Sequence, residues 1–298
     1  MTPDDLEQFY RRNGQRVART ANSFWYMPSP LAWSIFPYRE YPVVGDEDYA
    51  QLWREWRGAA VARSIRAESA GSEANRALYI CSINGYDLDS VSSNTRSKIR
   101  RGLGANEIRR VPVDELGETG AVLHESTLRR QGRRVPDNAR EQWTKTCRSA
   151  AEAGFEGWGA FHEGRLVGLV LAFHFDGRYH LSSIRSDAES LKSYPNNALI
   201  FTVTKSALER RDVYDVSYGL ESVQHGLDGL DSFKLSMGFT RVPVHETVVL
   251  RPVLRPFRRP ATKLALALAG RFPERDGFRK AAGLLSPSEP GQEVTPGS

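Results

Sequence analysis

Tyr218, Glu221 and His225 stand close together just past the stretch Tyr214 to Tyr218, whose pattern reads as a core strand. Open sheets gather ligand sites at the ends of such strands. Glu221 there can bind or deprotonate an amine, His225 is the competing base, and Tyr218 supplies a phenolic hydroxyl. A structural Glu paired with an Arg satisfies the same position. Upstream, Ser182 and Ser183 are adjacent in a second strand, where strict alternation sets Tyr179, Leu181 and Ser183 on one face and His180, Ser182 and Ile184 on the other. Asn196 and Asn197 open a helix whose first N–H groups can face an anion. Lys234, next to Phe233, is expected at the rim of a short helix and within reach of a phosphate or carboxylate; an ion pair with Asp231 three residues earlier is the alternative. Arg96, Lys98 and Arg100, together with Ser222, are candidates for contact with an acidic substrate, unless the basic residues simply form a solvated face.

These residues need a scaffold, and the 298-residue chain is long enough for one large domain or two small ones, with 40% hydrophobic residues. The formal charge of +5 arises from clusters: Arg96, Lys98, Arg100 and Arg101; Arg129, Arg130, Arg133 and Arg134; Arg251, Arg255, Arg258 and Arg259. Such clusters favour an anionic partner: cofactor phosphates, an RNA or a lipid surface. Cys81 and Cys147 are the sole cysteines and lack zinc-ligand spacing, so neither a disulfide framework nor a metal site is expected, and a reducing cytoplasm fits. The acidic start is followed by no apolar leader, and the apolar run Leu264 to Ala269 is too short to span a bilayer.

Along the chain, a short polar helix is expected from residue 4 to about 18, followed by an aromatic segment broken by prolines, Phe24 to Pro42, that reads as edge strands or a folded loop. Tyr49, Leu52, Trp53, Trp56 and Ala60 recur at helical spacing, and Ala77 to Ser82 reads as a strand. Ser92 caps a helix anchored by Ile99 and Leu103. From Glu107 the order is strand, helix (Asp114 to Arg130), helix (Asp137 to Ala153), a hairpin turning at Glu163-Gly164, a third strand, a helix (Asn196 to Arg211), a strand, a short helix and a last strand. The Pro-, Ser- and Gly-rich end from Ser286 is expected to be disordered.

Three segments, beyond the element order, resemble the FemABX-like branch of the GNAT acyltransferase superfamily. They are Ser92-Ser93-Asn94-Thr95-Arg96-Ser97-Lys98-Ile99-Arg100-Arg101-Gly102; Leu191-Lys192-Ser193-Tyr194-Pro195-Asn196-Asn197-Ala198-Leu199; and Tyr218-Gly219-Leu220-Glu221-Ser222-Val223-Gln224 followed by Phe233-Lys234-Leu235-Ser236-Met237-Gly238. The resemblance implies an α/β (α+β) fold with a mixed, mostly antiparallel central sheet flanked by helices. It divides the chain into a degenerate or accessory N-terminal region (1–105), an acyltransferase domain (106–256) and a basic, Pro-rich tail (257–298).

It further implies transfer of an acyl group to an amine of a small molecule or peptide, with Glu221, Tyr218 and His225 as catalytic candidates. Ser182, Ser183, Asn196, Asn197 and Lys234 are then the candidates for the donor. GNAT enzymes that use acetyl-CoA hold its pyrophosphate on a glycine-rich loop, whereas Arg185 to Asn197 contains no glycine. Family members that take aminoacyl-tRNA lack that loop too. Acyl-CoA ranks ahead of aminoacyl-tRNA as the donor, since only one complete GNAT half is visible and no tRNA-binding arm is evident; the alternative is an aminoacyl-tRNA-dependent transferase acting on a peptide or cell-wall precursor. A silent GNAT-like module binding RNA or an acidic partner is the reading from another class.

Overall fold

The computed structural model describes residues 1–36, 38–67, 74–221 and 228–257, together with residues 267 and 271. In chain order the elements are α1 (Pro3–Arg12), β1 (Val17–Arg19), β2 (Phe24–Ser29), β3 (Ala32–Ile35), α2 (Asp46–Glu55), β4 (Val61–Ala67) and β5 (Arg76–Cys81). Then follow α3 (Ser93–Ala105), β6 (Glu107–Arg110), α4 (Glu115–Thr119), α5 (Ala121–Arg130), α6 (Ala139–Glu152), β7 (Glu156–His162), β8 (Arg165–Phe175) and β9 (Arg178–Ser186). The last are α7 (Pro195–Leu208), β10 (Asp215–Leu220), α8 (Asp228–Ser236) and β11 (Thr240–Leu250). In each compact part of the chain the strands form a mostly antiparallel sheet with helices against it.

Two compact units emerge: residues 1–14 with 79–241, and residues 15–78 with 242–298. α3 packs on α7 and α1 on α6, which joins both helices to the larger unit.

In the larger unit the strand order is β5, β10, β9, β8, β7, β6. The run β6 to β9 is antiparallel, and β9 pairs with β10 in parallel. The hairpin turns are Glu163-Gly164 and Asp176-Gly177, all four residues having positive φ (49°, 76°, 53° and 70°), the twist that matches paired antiparallel strands. On β8 the side chains alternate: Val170 and Ala172 join the core beneath α7, and Leu169 lies beside Gly120 at the α4–α5 junction. The expected single helix from Asp114 to Arg130 breaks at Gly120, where a Cβ would stand 2.5 Å from Leu169 and 2.6 Å from the Leu116 carbonyl. Ser92 caps α3, its hydroxyl accepting from the Thr95 N–H. On α1, which ends at Arg12 rather than near residue 18, Phe9 stacks on Phe155 with ring centroids 4.6 Å apart.

The smaller unit carries β1, β2, β3, β4 and β11 in spatial order, with β3 and β4 parallel. Its aromatic, proline-broken segment, expected as edge strands or a folded loop, forms β2 and β3, which lie inside the sheet between β1 and β4, and Trp25 and Trp33 fill a core with Tyr49, Leu52 and Trp53 of α2. Arg63 and Arg76 both meet Glu246, and the hydroxyl of Tyr49 hydrogen-bonds that of Ser64 at 2.9 Å. Arg251 is spent on chain carbonyls of residues 53, 57 and 59.

Candidate active site

The site is set by how β9 and β10 meet. Their parallel ladder has three rungs, Arg178 with Asp215, Tyr179 with Val216 and His180 with Ser217. At the first rung a buried bidentate pair joins Arg178 to Asp215, with N···O distances of 2.6 and 3.1 Å. Past the third rung the strands part. On β9 the register with β8 runs from Leu181 opposite Ala172 to Ser183 opposite Leu171, leaving Ser182 as the extra residue of a β-bulge. On β10 the chain bends at Gly219, whose φ of 92° is a backbone state that side chains disfavour. Ser182 is exposed although it lies mid-strand. The bulge also corrects the expected alternation: Ile184 packs with Tyr179 and Leu181 against the α7 core, so Ser183 is turned to the face of Arg185.

At the end of β10, Tyr218 is half-buried with its ring edge-on to Phe233 and Phe239. Among the described residues nothing bonds its hydroxyl, and burial raises its pKa against the opposing pull of Arg130. Glu221 is paired with Arg241 at 2.8 Å. Lys234 is buried rather than at the rim: its Nζ donates to the Leu220 carbonyl at 3.2 Å and to Asp231 at 2.8 Å. The ammonium also sits 4.3 Å from the Tyr79 ring centroid and 5.6 Å from that of Tyr218. Burial, with the carboxylates of Asp231 and Glu221 adding to it, pushes the Tyr79 hydroxyl up to about 12. Met237 is fully buried and Phe233 joins the core, whereas Leu230 is exposed. Ser222 and His225 lie outside the described residues.

The helix that was expected to offer its N-terminus to an anion is hemmed in. A 3-10 turn (Glu189–Ser193) leads to Tyr194 at φ 53°, and Pro195 takes the first helical position without an N–H to donate. Asn196 donates to the Ser186 hydroxyl at 3.2 Å, which also receives Arg130 at 3.0 Å. Asn197 is buried with its amide 3.6 Å from the Met237 sulfur. Gly102 of α3 closes on this helix start, since a Cβ there would stand 2.6 Å from the Tyr194 carbonyl and 3.0 Å from Ala198. Asn106 ties the same junction by donating to the Ser193 carbonyl at 2.8 Å. On α3 itself, Arg96 pairs with Asp89 at 2.9 Å, Lys98 is half-buried and Arg100 is exposed. Among the described residues no bond links these three to the opening.

The structure thus brings Tyr218, Glu221 and Lys234 together at the end of β10, with Ser182 and Ser183 on the strand that parts from it. It adds Tyr79 and Arg241, which no periodicity or motif distinguishes, and Arg130, noted only as a member of a basic cluster. Among the described residues no group of three His, Cys, Asp or Glu side chains is arranged to hold a metal ion, and no helix is long and apolar enough to cross a membrane.

No protein-family model matches the chain, and no curated protein does. Solved structures do match. FemX superposes with a TM-score of 0.58 at 12% identity, covering 85% of this chain and 92% of that one. The C-terminal domain of an Agrobacterium fabrum protein described as a lysylphosphatidylglycerol synthetase gives 0.56 at 12% identity, covering 82% and 87%. The fold is GNAT-like and of the FemABX type. L-PGS from Bacillus licheniformis, at 0.52 and 11% identity, covers 92% of this chain and 98% of its own. At such identities the shared property is the fold.

Proposed function

We propose that the chain is an aminoacyltransferase that takes its aminoacyl group from charged tRNA and joins it to an amine of a small molecule or peptide, with the opening between β9 and β10 as the reaction centre. The observation that carries the choice of donor is the start of α7. A CoA pyrophosphate needs close, unhindered backbone N–H groups at a helix N-terminus. Here that position holds Pro195, buried Asn197 and the close approach of Gly102. This reverses the order in which sequence alone ranks the donors. The likeness to FemX and to the domain described as a lysylphosphatidylglycerol synthetase supports the same reading, and the proposed location is the cytoplasm, where charged tRNA is made.

In the reaction the acceptor nitrogen attacks the ester carbonyl. A C–N bond forms, the C–O bond to the tRNA ribose breaks, and the departing oxygen needs a proton. Tyr218, kept protonated by burial, gives that proton, and the Glu221 carboxylate, steadied by Arg241, takes one from the amine. Exposed Ser182 at the bulge offers a hydroxyl to the transient oxyanion. Lys234 acts from behind, fixing the Leu220 carbonyl and the Tyr218 ring.

The deciding experiment is equilibrium binding of acetyl-CoA, charged tRNA and uncharged tRNA at low and moderate salt. Charged tRNA is expected to bind above uncharged tRNA and to transfer its amino acid to added amines. Saturable acetyl-CoA binding that survives moderate salt would overturn the choice of donor in favour of acyl-CoA.

A further inference from the structure

Helix α3 carries Arg96, Lys98, Arg100 and Arg101 and no acidic side chain. Arg96 is engaged by Asp89. Half-buried Lys98 and the exposed Arg100 and Arg101 meet no carboxylate and no other acceptor among the described residues. Elsewhere on the larger unit exposed guanidiniums are matched: Arg110 by Glu156 at 3.0 Å, Arg140 by Glu125 at 2.6 Å and Arg165 by Asp187 at 3.3 Å. The outer face of α3 is therefore a concentration of positive charge without counter-charge, which favours an anionic partner.

The shape of that face fits a chain of anions. Helical spacing sets Arg100 and Arg101 on either side of Ser97 and Gly104. Ser97 is exposed, and a Cβ at Gly104 would meet nothing within 4 Å. A phosphate backbone can lie along this low strip with a guanidinium on each flank. Arg101 is held in place by stacking, its guanidinium 4.5 Å from the ring centroid of Tyr194, which leaves the donor edge of the fork open to a phosphate. The 3-10 turn that leads to Tyr194 packs on α3 and carries exposed Lys192. Leu103 is the one large apolar side chain that α3 exposes. A helix that lies in a lipid surface needs a broad apolar face, so the face suits RNA better than a bilayer.

Contacts lead from this face to the opening. α3 closes on Tyr194 through Gly102, and Asn106, just past its end, bonds the Ser193 carbonyl. Tyr194 is followed by Pro195 and Asn196, and the Asn196 amide bonds Ser186 at the end of β9, the strand that parts from β10.

We propose, resting on the choice of charged tRNA as donor, that this face of α3 docks the tRNA phosphate backbone, with Arg100 and Arg101 as its main contacts and Lys98 and Lys192 at its margins. The aminoacylated end then reaches the opening between β9 and β10. Contacts of this kind fix position and orientation and read no sequence.

The test is equilibrium binding of uncharged tRNA to the full-length chain across a salt series. Affinity is expected to fall as salt rises. Arg100→Gln and Arg101→Gln should each weaken binding several-fold and lower the slope of log K against log salt by about 1, and the double variant by about 2. Arg101→Lys keeps the charge and should keep the slope. Arg140→Gln, on α6, should bind as the wild type does. Absence of tRNA binding, or a double variant with unchanged affinity and slope, overturns the surface. Binding to vesicles of anionic phospholipid that the double variant loses, with tRNA binding intact, would assign the face to a membrane and overturn it as well. Transfer is measured separately on the wild type, from charged tRNA and from the aminoacyl ester of a short oligonucleotide. A chain that docks tRNA on α3 and transfers from neither keeps the surface while the reaction reading fails. Transfer from the short ester, beside α3 variants that bind tRNA normally, keeps the reaction and removes the surface.

Discussion

Arg178 and Asp215 clamp one end of a parallel strand pair whose other end is open. The buried pair occupies the first rung between β9 and β10, and the strands separate after the third. Removing one partner would leave an uncompensated buried charge, which costs about 3–5 kcal/mol. Asp215→Ala is therefore expected to lower unfolding stability by that order in a denaturant titration. Replacing both residues by apolar ones of similar volume is expected to recover most of the loss.

Tyr218→Phe is expected to lower turnover by about 10²-fold or more while leaving donor affinity unchanged, since only the proton given to the leaving oxygen is lost. Steady-state kinetics that separate kcat from KM check this. A rise in KM at constant kcat would instead make Tyr218 a binding residue.

Lys234→Met removes a buried ammonium and strands Asp231. A loss of stability on the order of 3 kcal/mol is expected, with a smaller fall in turnover as the Leu220 carbonyl and the Tyr218 ring lose their anchor. Thermal unfolding measured beside activity separates the two effects.

Acid should loosen the larger unit through two histidines. His180 is held at about 3 and His124 at about 4, both chiefly by burial. Each folded value lies below the unfolded 6.5, so the unfolded chain binds more protons between those limits and stability falls as pH drops from about 6.5. Stability measured across pH 7 to 4 should decline less steeply in His180→Phe, by up to one proton's worth of slope.

Gly102→Ala is expected to destabilise by about 1–3 kcal/mol, the range for forced overpacking, because its Cβ meets a backbone carbonyl rather than a flexible side chain. Gly104→Ala, two residues on and facing open space, is the control and should be neutral or mildly stabilising in the same chemical-denaturation assay.

Much of this fold was legible in local pattern. The Glu163-Gly164 turn, the both-faces-apolar strand β8, the Ser92 cap and the helix from Asn196 all follow from chemistry between residues near in sequence. The faces of Ser182 and Ser183 did not, because a single extra residue inverts every side chain beyond it and no local signal marks the bulge. The depth of Lys234 was hidden for a different reason: its ammonium sits against the rings of Tyr79 and Tyr218, which come from two strands distant in sequence. Glu221 and Lys234 both found the partners that a purely structural role would require, Arg241 and Asp231. What distinguishes them is their position at the end of β10, beside an opening that only the assembled sheet displays.

The two tight turns also order events in time. β7, β8 and β9 pair through short loops, so their closure costs little chain entropy and can occur on the microsecond scale of hairpins. β10 reaches β9 only after α7 has crossed over, and its clamp joins residues 37 apart in sequence. The meander is thus expected to be the folding nucleus, and the opening between β9 and β10 the last part to assemble. φ-value analysis is expected to give high values at the Asp176-Gly177 turn and low ones at Asp215, so that substitutions at the clamp hasten unfolding and leave the folding rate almost untouched.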